Sequence, residues 1–182
     1  ISGAGTWNVT GANASANIHT HRLVLAGAVT ISGQITVTDR GNLWLQGSGI
    51  NATSPINLDG VDTALYFYGP ANSTIKAGVL TGTGNVDFAN GGGGQSLTLS
   101  IGHDNGTGTF SGVIANSGTY AGPTTLSLTK AGSGTQTLFG ENSYVGVTTI
   151  SAGALKVGGT GSLGSGNYAG NISNSGTFEY AS

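Results

Sequence analysis

Apolar residues fall in short alternating runs, broken by Gly, Asn, Asp or Ser, along most of the 182-residue chain. The clearest runs are Leu23–Leu25, Ala28–Ser32, Gln34–Thr38, Asn42–Gln46, Ala64–Tyr68, Ser96–Ile101, Thr124–Thr129, Thr135–Phe139, Val147–Ser151 and Ala154–Val157. A two-residue period with such punctuation predicts β-strands of about three to six residues. No window places apolar residues at i, i+3, i+4 and i+7. Glycine recurs about every fifth residue, and each one inside a helix costs up to about 1 kcal/mol. The gaps between runs are too short for crossover helices. The expected class is therefore all-β.

Many short strands suit either an antiparallel sandwich or a β-solenoid. A sandwich needs tight hairpins; Asn105-Gly106 and Asp59-Gly60 fit that, but most connections are longer or lack the dipeptide signal. A solenoid instead repeats its residues at the coil period. Thr125-Leu126-Ser127-Leu128-Thr129 echoes Ser96-Leu97-Thr98-Leu99-Ser100, and Gly134–Leu138 resembles Gly108–Gly112 more loosely. These echoes favour one continuous parallel β-helix over residues 1–182. With about 20–25 residues per coil, it has roughly eight coils and rises about 4.8 Å per coil. Residues 1–95 read as irregular coils; if the solenoid is a stalk that displays binding loops, the irregular text of 47–63 and 70–95 would be those loops. Gly5–Val9 and Gly176–Tyr180, near the two ends, read as strand, so a processed or excised piece of a longer protein is expected.

Composition agrees with that architecture. Gly (35), Thr (24), Ser (19) and Asn (15) make up 93 of the 182 residues. Glycine permits the left-handed corners of a coil, and hydroxyl residues line outward faces at low entropy cost. Charged residues are only 7% and the net charge is −2. The five basic residues, Arg22, Arg40, Lys76, Lys130 and Lys156, are scattered, so neither a phosphate-tracking patch nor an electrostatic membrane anchor can be assembled from them. Nucleic acid is excluded as a partner. Cysteine is absent, so stability must come from backbone hydrogen bonds and stacked apolar side chains. No apolar stretch reaches the length of a transmembrane helix.

A sharper signal lies between Leu128 and Val157. Leu128-Thr129-Lys130-x-Gly132-x-Gly134-Thr135-x-x-Leu138-x-Gly140-x-Asn142-x-Tyr144-x-Gly146 is followed by Thr148 or Thr149, Ile150, Gly153, Leu155 and Val157. This stretch resembles the autotransporter-associated β-strand repeat, and the likeness extends in style over residues 96–182. Phe139 stands where a small polar residue is common in that repeat, and Glu141 where Ala or Gly is common. The resemblance implies a parallel β-helix exported from a bacterium and found at the cell surface or beyond it. It carries over no catalytic residue.

Candidate chemistry is sparse. The acids Asp39, Asp59, Asp62, Asp87, Asp104, Glu141 and Glu179 are dispersed. Asp59 and Asp62 are the nearest pair, and they read as a solvated turn rather than paired catalytic carboxylates. Asp39-Arg40 reads as a turn with a local ion pair. His19 and His21 would share one strand face, but the nearest third ligand, at His103-Asp104, is far along the chain, so no metal is expected. Nor is any cofactor. Asn8, Asn13, Asn51, Asn72, Asn105 and Asn171 head N-x-S/T sequons, most of which a chain this rich in Asn, Ser and Thr produces by chance. Tyr66-Phe67-Tyr68 is the best aromatic platform for a glycan, because alternation exposes either Phe67 alone or Tyr66 and Tyr68 together.

Three functions are consistent with these features. The first is an extracellular structural or fibre-forming protein that self-associates head to tail through open strand edges. The second is an adhesin that binds cell-surface glycans. The third, disfavoured by the dispersed acids, is a carbohydrate-active enzyme.

Overall fold

The computed structural model describes residues 2–3, 7–10, 22–26, 29–31, 33–46, 50–60, 62–88, 96–115 and 125–182. Among these residues, twenty strands follow one another. They are β1 Ser2–Gly3, β2 Trp7–Thr10, β3 Arg22–Ala26, β4 Val29–Ile31, β5 Ile35–Thr38, β6 Asn42–Gln46 and β7 Ile50–Ala52. Next come β8 Ile56–Asp59, β9 Ala64–Tyr68, β10 Thr74–Ala77, β11 Leu80–Gly82, β12 Asn85–Phe88, β13 Ser96–Ile101 and β14 Gly108–Phe110. The series ends with β15 Thr125–Lys130, β16 Thr135–Leu138, β17 Thr148–Ile150, β18 Ala154–Gly158, β19 Ile172–Asn174 and β20 Thr177–Ala181. A single 3₁₀ turn at Gly164–Gly166 is the one helical element among the described residues.

Every strand pairing among the described residues is parallel, and each strand pairs with its counterpart one coil away. The first sheet runs β1-β4-β7-β10-β13-β15-β17-β19, and the second runs β2-β5-β8-β11-β14-β16-β18-β20. The third, β3-β6-β9-β12, has four strands. This is the parallel β-solenoid that the alternating pattern predicts. Among the described residues, eight strands stack in each of two sheets, and a third side is closed by a full strand only in coils of the first half. Complete three-sided turns are therefore fewer than the eight expected. Coil length also varies more than expected: the step from Ser96 to its partner Thr125 is distinctly longer than the step from Thr135 to its partner Ala154.

Alternation sorts the side chains. Ile35 and Val37, Ile56 and Leu58, Leu97 and Leu99, Leu126 and Leu128, and Leu155 and Val157 all point inward and are buried. Equivalent apolar residues thus sit over one another at each rung, burying a thin continuous core. The echo of Ser96–Ser100 in Thr125–Thr129 is a true register. The second echo is displaced: Gly108 pairs Gln136 rather than Gly134. A shift of two residues keeps every side chain on its expected face, so alternation alone could not reveal it.

The expectation that 47–63 and 70–95 are loops is corrected. Strands β7, β8, β10, β11 and β12 lie there. These strands are three or four residues long, with only one or two inward positions apiece, and stacking on their neighbours makes them strands. Asn105 and Gly60, read as possible hairpin turns, instead occupy left-handed corners (φ 59° and 122°) between strands of the same coil.

Polar groups inside the coil are satisfied by side chains that reach along the axis. No buried side-chain nitrogen or oxygen among the described residues lacks a partner. Lys130 is fully buried, and its ammonium donates to the carbonyls of Ala131, Gly132 (2.9 Å) and Ala152 (3.5 Å). Gln136 is also fully buried. Its Oε1 accepts from Leu80 N (2.9 Å), while Nε2 donates to Leu80 O (2.9 Å), across the side-chain-free Gly108. Asn142 Oδ1 accepts from Ile114 N (3.0 Å), and its Nδ2 donates to the carbonyls of Gly140 (2.8 Å) and Ser162 (3.0 Å). Each such bond replaces a backbone partner that the irregular corner cannot supply. Gly112 and Gly140 mark a tight corner stack: a Cβ on Gly112 would fall on the Gly84 carbonyl, and one on Gly140 on the Gly112 carbonyl.

Candidate functional site

The outward face of the third sheet differs from the other two. The second sheet turns Thr36, Asn57, Thr81, Thr109 and Thr137 outward, and Lys156 and Glu179 continue that column. On the third sheet, Leu43 and Leu45 are buried, so Trp44 and Gln46 face out. Phe67 is buried (1% exposed), which puts Tyr66 on the outer face of β9. This is the second of the two alternatives that alternation left open. Register then aligns Val24, Trp44, Tyr66 and Asp87 in one column. Trp44 and Tyr66 are half-buried, with ring centroids 5.0 Å apart and planes inclined at 37°. That spacing is close to the rung repeat, so the two rings overlap as tilted neighbours. Val24 continues the apolar column (39% exposed) and Gln46 lies exposed beside it. Tyr68 is in register with Gln46, but its side chain lies outside the described set.

Alternation left Tyr66 as one of two possible outward choices, and its pairing with Trp44 could not be read at all. A full coil of chain separates them, and only the register joins them. The signal available was the equal length of the runs Asn42–Gln46 and Ala64–Tyr68, each with a central aromatic.

The remaining candidates disperse. His19, His21, Asn13 and Tyr120 lie outside the described residues, as do the side chains of Trp7, Asn8, Asn51 and Phe88. Phe110 and Tyr144 are buried in the core. Tyr144 OH bonds Thr148 Oγ1 (2.8 Å), which in turn bonds Tyr168 OH (2.7 Å), and burial raises both phenols above their ordinary range. Asp59 and Asp62 are exposed at one corner. The ion pair expected within Asp39-Arg40 is instead formed across coils, from Arg40 to Asp62 (3.6 Å), because Asp39 and Arg40 both adopt left-handed conformations (φ 47° and 64°). Lys156 pairs similarly with Glu179 of the next coil (2.6 Å). Among the described residues no three His, Asp or Glu side chains are grouped to hold a metal.

His103 makes the closest approach to reaction chemistry. Its Nε2 is 2.8 Å from Ser100 Oγ. Asp104, the next residue, uses Oδ1 to accept from Val79 N (3.1 Å) and Gly106 N (3.2 Å). No ion pair joins Asp104 to His103 among the described residues. Burial, then Lys76, holds the imidazole below its ordinary pKa, and Lys130 adds to this while Asp104 opposes it. The arrangement is a corner hydrogen bond and lacks the third member of a triad.

Fold and surface together define an all-β parallel solenoid. Residues 128–157 match the family model described as Passenger-associated-transport-repeat, the same stretch, Leu128 to Val157, that carries the resemblance noted from the sequence. The chain is also similar to an adhesin, the BmaC autotransporter of Brucella suis biovar 1 (strain 1330), at 37% identity over 108 residues. That match takes in 59% of this chain and 3% of the relative, so the chain spans a small part of the relative's length. No solved structure matches. The repeat and the relative indicate an extracellular or cell-surface location. Among the described residues no helix is long and apolar enough to cross a membrane.

Proposed function

We propose that this chain is a non-catalytic segment of a surface-displayed passenger, a stiff β-solenoid shaft whose coils can stack end to end. The observation that supports this reading is the side-chain arrangement of β19 and β20. Phe178 lies over Leu155 and Tyr180 over Val157, both of them core residues of the coil before. Yet Tyr180 is 55% and Ile172 40% exposed. Among the described residues, β19 and β20 pair with β17 and β18 on one side only. A further parallel coil, whether of the protein's own chain or of a second copy, would cover that apolar rung, and in the second case the head-to-tail contact would propagate rather than close. Negative-stain microscopy and sedimentation of the purified chain test this, with Ile172→Lys/Tyr180→Lys as the blocking variant. Filaments lost in the variant support stacking; monodisperse particles at high concentration in both count against it.

A second reading is favoured by the relative named as an adhesin: the shaft displays a binding face. Catalysis is not part of either reading. Polysaccharide cleavage abolished by Asp59→Ala and Asp62→Ala would contradict both.

A further inference from the structure

We infer that Asn105-Gly106 is a self-modification site, a deamidating pair held shut by the next coil, so that Asn105 converts to aspartyl and isoaspartyl forms when that coil lifts away. The chemistry lies in the dipeptide. The backbone nitrogen of Gly106 can attack Cγ of Asn105, and glycine has no side chain to hinder the approach. The new N–C bond closes a cyclic succinimide. The Gly106 amide proton passes to solvent base, and Nδ2 leaves with a proton as ammonia. Water then opens the ring at either carbonyl. One opening gives Asp at position 105; the other gives isoaspartate, whose main chain runs through the former side-chain carbon.

Asn105 is exposed, so water reaches it freely. Yet both groups that ring closure needs are occupied. Gly106 N–H donates to Asp104 Oδ1 (3.2 Å). Asn105 Oδ1 accepts from Ser133 N (3.0 Å) and Ser133 Oγ (3.4 Å), a full coil later. The carboxamide must release Ser133 before Cγ can turn onto its own backbone, so the following coil sets the rate at which a reactive geometry is sampled. Gly132 leaves room for this contact: a Cβ there would fall on the Gly102 carbonyl and crowd Asn105 Oδ1. The same corner is tied further by Thr107 Oγ1, which accepts from Thr135 N (3.2 Å), and by Asp104 Oδ1, which accepts from Val79 N of the preceding coil (3.1 Å).

The isoaspartyl product does not fit back. The Gly106 carbonyl lies directly against Gly134, where a Cβ would overlap it. Isoaspartate inserts one more carbon into the main chain just before Gly106, which displaces that carbonyl in a stack with no spare room. Opening of this corner is thereby recorded covalently, in one direction.

The test incubates the 182-residue chain at mildly alkaline pH, folded and in guanidinium chloride. Position 105 is followed by peptide-mapping mass spectrometry, with isoaspartyl methyltransferase labelling to identify isoaspartate. Asn105 should convert at least about ten-fold more slowly in the folded chain. Asp104→Ala frees the Gly106 N–H and should raise the folded rate about three-fold or more. In guanidinium chloride below the unfolding midpoint, conversion in the unaltered chain should rise in step with hydrogen exchange at Ser133 N–H, a measurement that needs no variant to fold. Equal rates in folded and denatured chains overturn the inference, as does no conversion in the denatured chain. So does a folded rate that stays fixed while Ser133 exchange rises. An Asp104→Ala chain that is folded by circular dichroism yet converts no faster also counts against it, and slower conversion would make Asp104 the base rather than the lock.

Discussion

Replacing Gln136 with Leu removes a side chain whose two polar atoms together occupy both backbone groups of Leu80, far earlier in sequence. The coil there departs from a simple ladder. Leu80 presents its N–H and C=O toward the next coil, where Gly108 lies without a side chain, and the amide of Gln136 passes over Gly108 to meet them. Leucine has similar bulk, so water has no more room than before, and both Leu80 groups are left without partners in the interior. At about 1–3 kcal/mol for each orphaned group, the loss is about 2–6 kcal/mol, partly offset by the apolar gain of the new side chain. A cavity such as Leu138→Ala costs a comparable ~2–5 kcal/mol, so global stability does not separate the two causes. Amide hydrogen exchange does. Gln136→Leu should accelerate exchange at Leu80 N–H by about 30-fold or more beyond its neighbours, the exchange equivalent of ~2 kcal/mol. Leu138→Ala should leave Leu80 no worse protected than the residues around it. Unchanged protection at Leu80 in Gln136→Leu would refute the claim that this side chain bridges two coils.

Further outcomes follow from the same geometry. Gly112→Ala should destabilise by more than an ordinary surface Gly→Ala change, because the new Cβ meets the Gly84 carbonyl; thermal unfolding measures this. Tyr144→Phe should cost about 1 kcal/mol in chemical denaturation, since Thr148 keeps its bond to Tyr168. His103 has a folded pKa below its ordinary 6.5, so the unfolded chain binds the proton more readily. Stability should therefore fall as pH drops through the range just below 6.5, and His103→Gln should flatten that slope in pH-dependent melts. Lys130→Met should destabilise, because three carbonyls lose their common donor, and the effect should be visible as a lowered midpoint in urea.

The chain's text revealed its fold where strands were long enough to show alternation. Asn42–Gln46, Ala64–Tyr68 and Ser96–Ile101 end where the sequence pattern ends. Thr125–Thr129 could be placed on Ser96–Ser100 because five inward and outward positions agree at once. The strands of residues 47–63 and 70–95 were hidden for the opposite reason. Ile56–Asp59 or Thr74–Ala77 offers only two inward side chains, amid Asn, Ser and Gly that suit a loop equally well. What makes them strands is hydrogen bonding to the coils on either side, and a coil period that varies so widely leaves no fixed offset to search. The same holds for polar interior devices. Lys130 and Asn142 belong to the recognisable repeat, but nothing in sequence says that their side chains turn inward to bind carbonyls. The aromatic column was only partly legible: alternation left Tyr66 as one of two outward alternatives, and its stacking on Trp44 emerged only through register.

The measurement that bears most directly on the parallel stack is oxidative cross-linking in this cysteine-free chain. Thr109 and Thr137 are paired on adjacent rungs of the second sheet, with neighbouring strands about 4.8 Å apart, within reach of a disulfide. With cysteine at 109, rapid bridging to cysteine at 137, and slow bridging to 135 or 139, is the predicted outcome. Preferential bridging to 135, the partner implied by the looser sequence echo, or no bridging at any of the three, would contradict the in-register solenoid.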